Sequence, residues 1–167
     1  MNILQAKQPQ ESAQSSESNN RIYAFLRSNP IGVLATVDPD GNPHAAVIYF
    51  SVSDDFNLTF TTKHDTKKHD NLIRNNHAML VCYEASSQTT VQITGSVKKI
   101  DDIGEANEAF THMLQASQQT SESGIPPITK LHAGQYIAYR IKPTQIRMAV
   151  FIRPDAGGYD MFETINF

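Results

Sequence analysis

From residue 31 onward the chain alternates between short β-branched runs and turn signals. Ile31 to Val37 is apolar and β-branched, and Asp38-Pro39-Asp40-Gly41 then reads as a tight turn, with Pro preset for the second turn position and Gly at the last. Pro43 to Val52 resumes as one long strand. Asp54, Asp55 and Asn57 mark a second turn, and Leu58 to Thr62 a third strand. Two more follow at Ala78 to Glu84 and Thr89 to Ile100; Gly95 inside the latter predicts a bulge or the close approach of another backbone. The last strands are expected at Gln135 to Ile141, Thr144 to Ile152 and Asp160 to Ile165, with turns at Lys142-Pro143 and Ala156-Gly157-Gly158.

Helical spacing interrupts this pattern in three places. Ile22, Phe25 and Leu26 give one apolar face to a short helix that starts after Asn19 or Asn20 and stops at Asn29-Pro30. A second helix is expected from about Thr66 to Asn75, with Leu72 and Ile73 facing inward. A third, capped by Asp101 or Asp102, covers Ile103 to Ser117 with a stripe of Ala106, Ala109, Phe110, Met113 and Leu114. Residues 1–20 are polar and rich in Gln and Ser, a flexible arm before a single domain over residues 21–167; Gln118 to Pro127 reads as loop. Seven or eight strands, joined by tight turns and flanked by two or three helices, make a mainly β protein, a barrel or a sandwich.

Composition narrows the function classes. Net charge is −3 and no basic block or arm is present, so nucleic acid is not an expected partner. No apolar run exceeds six residues, as in Ala45 to Phe50, against the roughly 20 of a spanning helix, and the start of the chain has no apolar core of signal-peptide type. The single cysteine, Cys82, cannot pair within the chain and reads as a buried free thiol, which fits a reducing cytoplasm.

The chemistry concentrates in Phe60 to Leu72, FTTKHDTKKHDNL. A strand ends there and a helix begins, with Asp65 or Thr66 as N-cap and Lys67 and Lys68 in the first turn. A helix N-terminus is already positive and favours Asp or Glu, so two lysines there break a local rule. A bound phosphate resolves the conflict, because free N–H groups, Thr hydroxyls and two ammonium groups would converge on one anion. The alternative is a solvated basic face partly neutralised by Asp65 and Asp70. A phosphate-bearing cofactor, a phosphorylated substrate and an adventitious anion all satisfy these residues.

Other chemistries find less support. His64 and His69 are the nearest histidine pair, but five residues turn a helix by about 140° from the start, so they would not share a face, and the lysines between them would repel a cation; no metal is expected. No nucleophile elbow, dinucleotide glycine fingerprint or Walker loop is present, and no carboxylate pair stands out. No catalytic side chain can be named; His44 and Tyr49 are the nearest candidates.

From Phe25 to about Ile100, roughly half the chain, the order of short motifs resembles the pyridoxamine-phosphate-oxidase-like family of FMN-binding split barrels. The likeness is carried by Asn29-Pro30, Leu34-Ala35-Thr36, Asp40-Gly41-Asn42-Pro43-His44, the strand Ala45 to Phe50, Thr61-Thr62, Thr66-Lys67-Lys68, Asn71-Leu72, Asn75-Asn76-His77 and Ile93-Thr94-Gly95. The resemblance implies an antiparallel split β-barrel that forms a homodimer with two FMN sites at the subunit interface. It places the FMN phosphate at Thr66, Lys67 and Lys68, with Thr61 and Thr62 beside it, and the backbone of Ala46, Val47, Ile48 and Tyr49 along the flavin ring. The oxidase proper has arginine in the place of Ala46 and lysine in that of Ser51, and this chain has neither. Its end also lacks the oxidase's Arg-Leu-x-Pro finish. The resemblance implies an FMN-dependent oxidoreductase acting on an unknown small molecule, and these departures speak against pyridoxamine or pyridoxine phosphate as that substrate. The alternatives are a flavin-binding stress or sensor protein without turnover, a heme-binding relative using His44, His69 or His132, and a deazaflavin-dependent reductase.

Overall fold

A computed structural model describes the backbone of residues 8–119, 136–152 and 162–167. Within them lie three helices and eight strands, all strand pairings antiparallel. Residues 1–7 of the expected arm, most of the expected loop after the third helix, and the Ala156-Gly157-Gly158 turn lie outside the described residues.

Helix α1 spans Gln8–Ser28, so it begins well before Asn19 and takes in residues 8–20 of the segment read as an arm. Pro9 sits in its first turn, where a missing N–H costs nothing, and neither Gly nor Pro interrupts it afterwards. Ile22 and Leu26 are fully buried and Phe25 packs against the same core. The helix stops where expected: the backbone and side-chain N–H groups of Asn29 both donate to Phe25 O at 3.0 Å.

The strands are β1 (Ile31–Val37), β2 (Pro43–Tyr49), β3 (Ser51–Val52), β4 (Leu58–Lys63), β5 (His77–Glu84), β6 (Thr89–Lys99), β7 (Tyr136–Val150) and β8 (Glu163–Asn166). They run in the order β2-β1-β5-β6-β7-β4-β3, with β8 also paired to β7. The single strand expected from Pro43 to Val52 is divided at Phe50. Up to Tyr49 it pairs with β1, while Ser51 and Val52 pair with β4 at the opposite end of the sheet. Phe50 is fully buried and its N–H donates to Pro30 O at 2.9 Å. Its burial bends the chain from one sheet edge to the other, and that covalent link curls the sheet into the split barrel. Leu34, Phe60, Leu80 and Ile93 fill the inner face.

Lys142-Pro143, expected as a turn, lies inside the 15-residue β7. Pairing passes from Thr94↔Gln145 to Gly95↔Pro143, leaving Thr144 as an extra residue on β7. On its other side β7 pairs with β4 through Ile141 and with β8 from Gln145. The proline therefore falls where β7 changes neighbour, so its missing N–H takes no bond from the ladder. Gly95 permits the bulge: a Cβ there would stand 2.4 Å from Lys142 O.

Helix α3 (Ile103–Gln119) is capped by Asp102, whose Oδ1 accepts the Glu105 N–H at 2.8 Å. Ala109 and Met113 are buried against the barrel, and Phe110 stacks on Tyr136 at 4.5 Å.

Cys82 is fully buried on β5, and burial pushes its thiol up to about 12. The unfolded chain releases that proton around the ordinary value of 9.0. Between those values the unfolded state binds fewer protons than the folded one, so stability falls as pH rises, at up to about 1.4 kcal/mol per pH unit. Melting temperatures from pH 8 to 10.5 should decline more steeply for the wild type than for Cys82→Ala; parallel curves would contradict the burial argument.

Candidate functional site

The strand-to-helix junction forms as expected, with a different division of labour among its residues. Helix α2 spans Lys67–Arg74 with Thr66 as N-cap, in extended conformation at φ −116° and ψ 143°. The Thr66 hydroxyl does not cap the helix. It donates to Lys63 O at 3.0 Å and lies 2.9 Å from Thr62 Oγ1. The His69 N–H donates to Thr66 O at 3.0 Å, and among the described residues no side chain takes the N–H groups of Lys67 and Lys68, which are left open at the helix end.

The inward face of α2 is set by Asn71 and Leu72, both buried. Asn71 Nδ2 donates to Thr36 Oγ1 at 3.0 Å, fastening the helix to β1. Ile73, expected to face inward, is 66% exposed. One residue is 100° on a helix, and with Asn71 and Leu72 inside, Ile73 is carried past the contact. The same geometry separates the lysines. Lys68 lies three and four residues before the buried pair and is half-buried; burial holds its ammonium below the usual lysine value. Lys67 is exposed at the rim. It lies near Asp38 in the β1–β2 turn, whose carboxyl is held below the usual range first by hydrogen bonds from Asn42, with Lys67 a smaller contributor. Among the described residues neither lysine has an ion-pair partner.

Strand alternation divides the two threonines of β4. Thr62 is buried on the inner face, beside Thr66. Thr61 points the other way, and its Oγ1 is buried without a hydrogen-bond partner. On β2, Ile48 is buried, Ala46 and Tyr49 are half-buried, and Val47 is 66% exposed. β2 pairs only with β1, so the backbone of its other edge is unpaired among the described residues. Helix α2 packs on β1 and β2.

His64 and His69 do meet, with ring centroids 5.6 Å apart, because His64 lies in the turn before α2 and not on the helix. His69 Nδ1 is 2.7 Å from Tyr139 Oη, and burial, then His64, lowers the His69 pKa below its usual value. No group of three or more metal-ligating side chains occurs among the described residues. His132 lies outside them. The sequence reading missed Tyr139 and the role of Asn71. Asn71 carried a signal, four residues beyond Lys67 on one helix; Tyr139, seventy residues from His69, carried none.

A cleft of about 820 Å³ opens elsewhere, between α1, the β3–β4 hairpin and α3. Phe50, Ser51, Arg27, Glu108, His112 and Arg140 are among its walls, and no residue from Thr61 to Lys68 is. Ser51 Oγ is 2.6 Å from Thr59 Oγ1. The cleft mixes charges of both signs, Arg27 and Arg140 with Glu105 and Glu108, whereas two lysines without ion-pair partners among the described residues and open N–H groups mark the β4–α2 junction, and the junction is the better candidate for an anion.

The profile of the pyridoxamine 5'-phosphate oxidase family matches residues 19–148. Pyridoxine/pyridoxamine 5'-phosphate oxidase 1 of Ralstonia nicotianae is 31% identical over 97 residues, covering 53% of this chain and 45% of that protein. The chain thus spans less than half the length of such curated relatives. Of solved structures, a pyridoxamine 5'-phosphate oxidase-related, FMN-binding protein of Nostoc punctiforme superposes with a TM-score of 0.57 at 16% identity, covering 99% of both chains. A heme-binding protein from Mycobacterium smegmatis superposes with a TM-score of 0.65 at 15% identity, over 98% of this chain and 60% of that one. At such identities these two show the fold. The family match runs from the middle of α1 through most of β7 and includes the whole β4–α2 junction, and by it this chain belongs to the pyridoxamine 5'-phosphate oxidase family.

Proposed function

We propose that this chain is a cytoplasmic, homodimeric FMN-binding oxidoreductase acting on a small molecule. The observation that carries the reading is the unclosed positive cradle at the start of α2. Among the described residues neither Lys67 nor Lys68 makes an ion pair there, and no side chain caps the first turn. A phosphate monoester fits it: its oxygens accept from the open N–H groups and from both ammonium groups, while the Thr66 hydroxyl, donating to Lys63 O, holds the turn that presents them. The orphaned Thr61 Oγ1 fits a polar ligand chain beside the phosphate. The unpaired edge of β2 from Ala46 to Tyr49 offers backbone donors and acceptors to a flat heterocycle, whatever the side chains are. Bound there, the flavin supplies hydride or electron transfer, and the protein supplies position and electrostatics. The cleft at Phe50 and Ser51 begins where β2 ends and leaves room for a second reactant.

Dimerisation is supported by the outer face of the sheet. Val47, Val33, Val81, Met79 and Tyr83 adjoin across β2, β1 and β5, with Val47 66% and Tyr83 62% exposed. A contiguous apolar face of this kind marks an interface, and β2 belongs to both that face and the cofactor site.

The absorbance spectrum of the purified protein, before and after addition of FMN, tests the reading. A bound-flavin spectrum with one FMN per protomer is expected. A protein that ignores FMN and shows a Soret band with hemin would transfer the assignment to heme. Turnover of a reduced nicotinamide with the FMN-loaded protein then separates an oxidoreductase from a flavin-binding module.

A further inference from the structure

We infer that His44 is a phosphate-binding residue of this cradle, donating a hydrogen bond from Nε2. The inference rests on the FMN reading and names a residue that reading does not contain. His44 lies on β2 directly opposite Thr36 of β1. Residues opposite one another in an antiparallel pair point to the same face, and Thr36 holds Asn71 of α2 through its hydroxyl. The His44 side chain therefore lies on the α2-covered face. Lys67 and Lys68 stand four and three residues before Asn71, one helical turn toward the N-terminus. That turn also lies by the β1–β2 hairpin, where Lys67 acts on Asp38. Along this face of β2 the side chains are His44, Ala46 and Ile48, so only His44 offers a polar group to a ligand at the helix start.

The two ring nitrogens are in unequal surroundings. Nδ1 is buried with no hydrogen-bond partner. Nε2 is not among the buried unpartnered atoms, and no described residue hydrogen-bonds to it; the ring as a whole is half-buried. With Nδ1 enclosed by the protein, Nε2 is the ring nitrogen left to meet a ligand, and it donates in the form that carries a proton there. An N–H donor with no acceptor among the described residues, on the strand next to the one that holds Asn71 and on the face covered by the helix that carries Lys67 and Lys68, suits a phosphate oxygen.

The test compares FMN with riboflavin, which lacks the phosphate, on the wild type, His44→Phe and His44→Gln, with melting temperatures to confirm folding. Phe keeps the ring volume without the donor, and Gln keeps an N–H near the Nε2 position. His44→Phe should bind FMN about tenfold more weakly, as for one hydrogen bond to a charged acceptor, with riboflavin affinity unchanged and FMN affinity largely restored in His44→Gln. Equal FMN affinity in the wild type and a folded His44→Phe overturns the inference, as does an equal loss for both flavins. A wild type that does not prefer FMN to riboflavin overturns the cradle reading itself, a result independent of either variant.

Discussion

Replacing Lys67 and Lys68 together with Ala should weaken FMN binding by about two to four powers of ten. Each charge-assisted hydrogen bond contributes roughly 1.5–3 kcal/mol, and about 1.4 kcal/mol is a factor of ten. The two single variants should not share this loss equally. Lys68 is half-buried, so its charge acts through less water and its ammonium already pays for desolvation without a partner. Lys67 is exposed, so its contribution is screened by solvent and salt. Lys68→Ala should therefore account for most of the loss, and the Lys67→Ala effect should shrink as salt is raised from low to physiological concentration. Riboflavin binding should be nearly unaffected in all three variants. Fluorescence titration of FMN and riboflavin supplies the measurement, and a double variant with wild-type FMN affinity removes the phosphate argument.

Gly95→Ala should lower stability by about 3 kcal/mol or more, which for a chain of this size is a fall of about 6–12 °C in melting temperature. The added methyl would stand 2.4 Å from Lys142 O and 3.0 Å from two further backbone atoms of β7. Backbone atoms in the middle of a sheet cannot swing aside as a flexible side-chain tip can. Relief requires β7 to move away from β6, and β7 also carries β4 and β8. Gly41→Ala is the control: its φ of +87° is left-handed, but nothing lies within 4 Å of the added methyl, so the cost should stay near 1 kcal/mol. Thermal melts of the two variants side by side separate steric clash from backbone strain. Similar small losses would mean that the bulge at Thr94/Gly95 is softer than its geometry indicates.

Where a residue's role depends on its immediate neighbours, the sequence was sufficient. The β1–β2 turn, the stop at Asn29-Pro30, the Asp102 cap and the inward stripe of α3 rest on propensity, capping and period, which act within a few residues. The misplaced charges at the start of α2 were legible for the same reason. Other features were decided by partners distant in the chain. The division at Phe50 depends on β4 being present to receive Ser51 and Val52. The passage of β7 through Pro143 depends on Gly95 and on the change of neighbour at that point. His69 meets Tyr139 across 70 residues.

The amino-acid sequence alone determined the strand-rich pattern, two of the three helix starts, the family, and the stretch in which an anion site would have to lie. Only the tertiary structure decided which lysine is desolvated, which threonine faces inward, that Ile73 faces out, and that His44 stands on the same face as α2. The physical reason is that period and propensity fix which residues share a face, while burial and electrostatic environment depend on what that face is packed against. Two buried side chains, Asn71 on Thr36 and Leu72 in the core, set the rotation of α2 and with it the surroundings of the charges at its start.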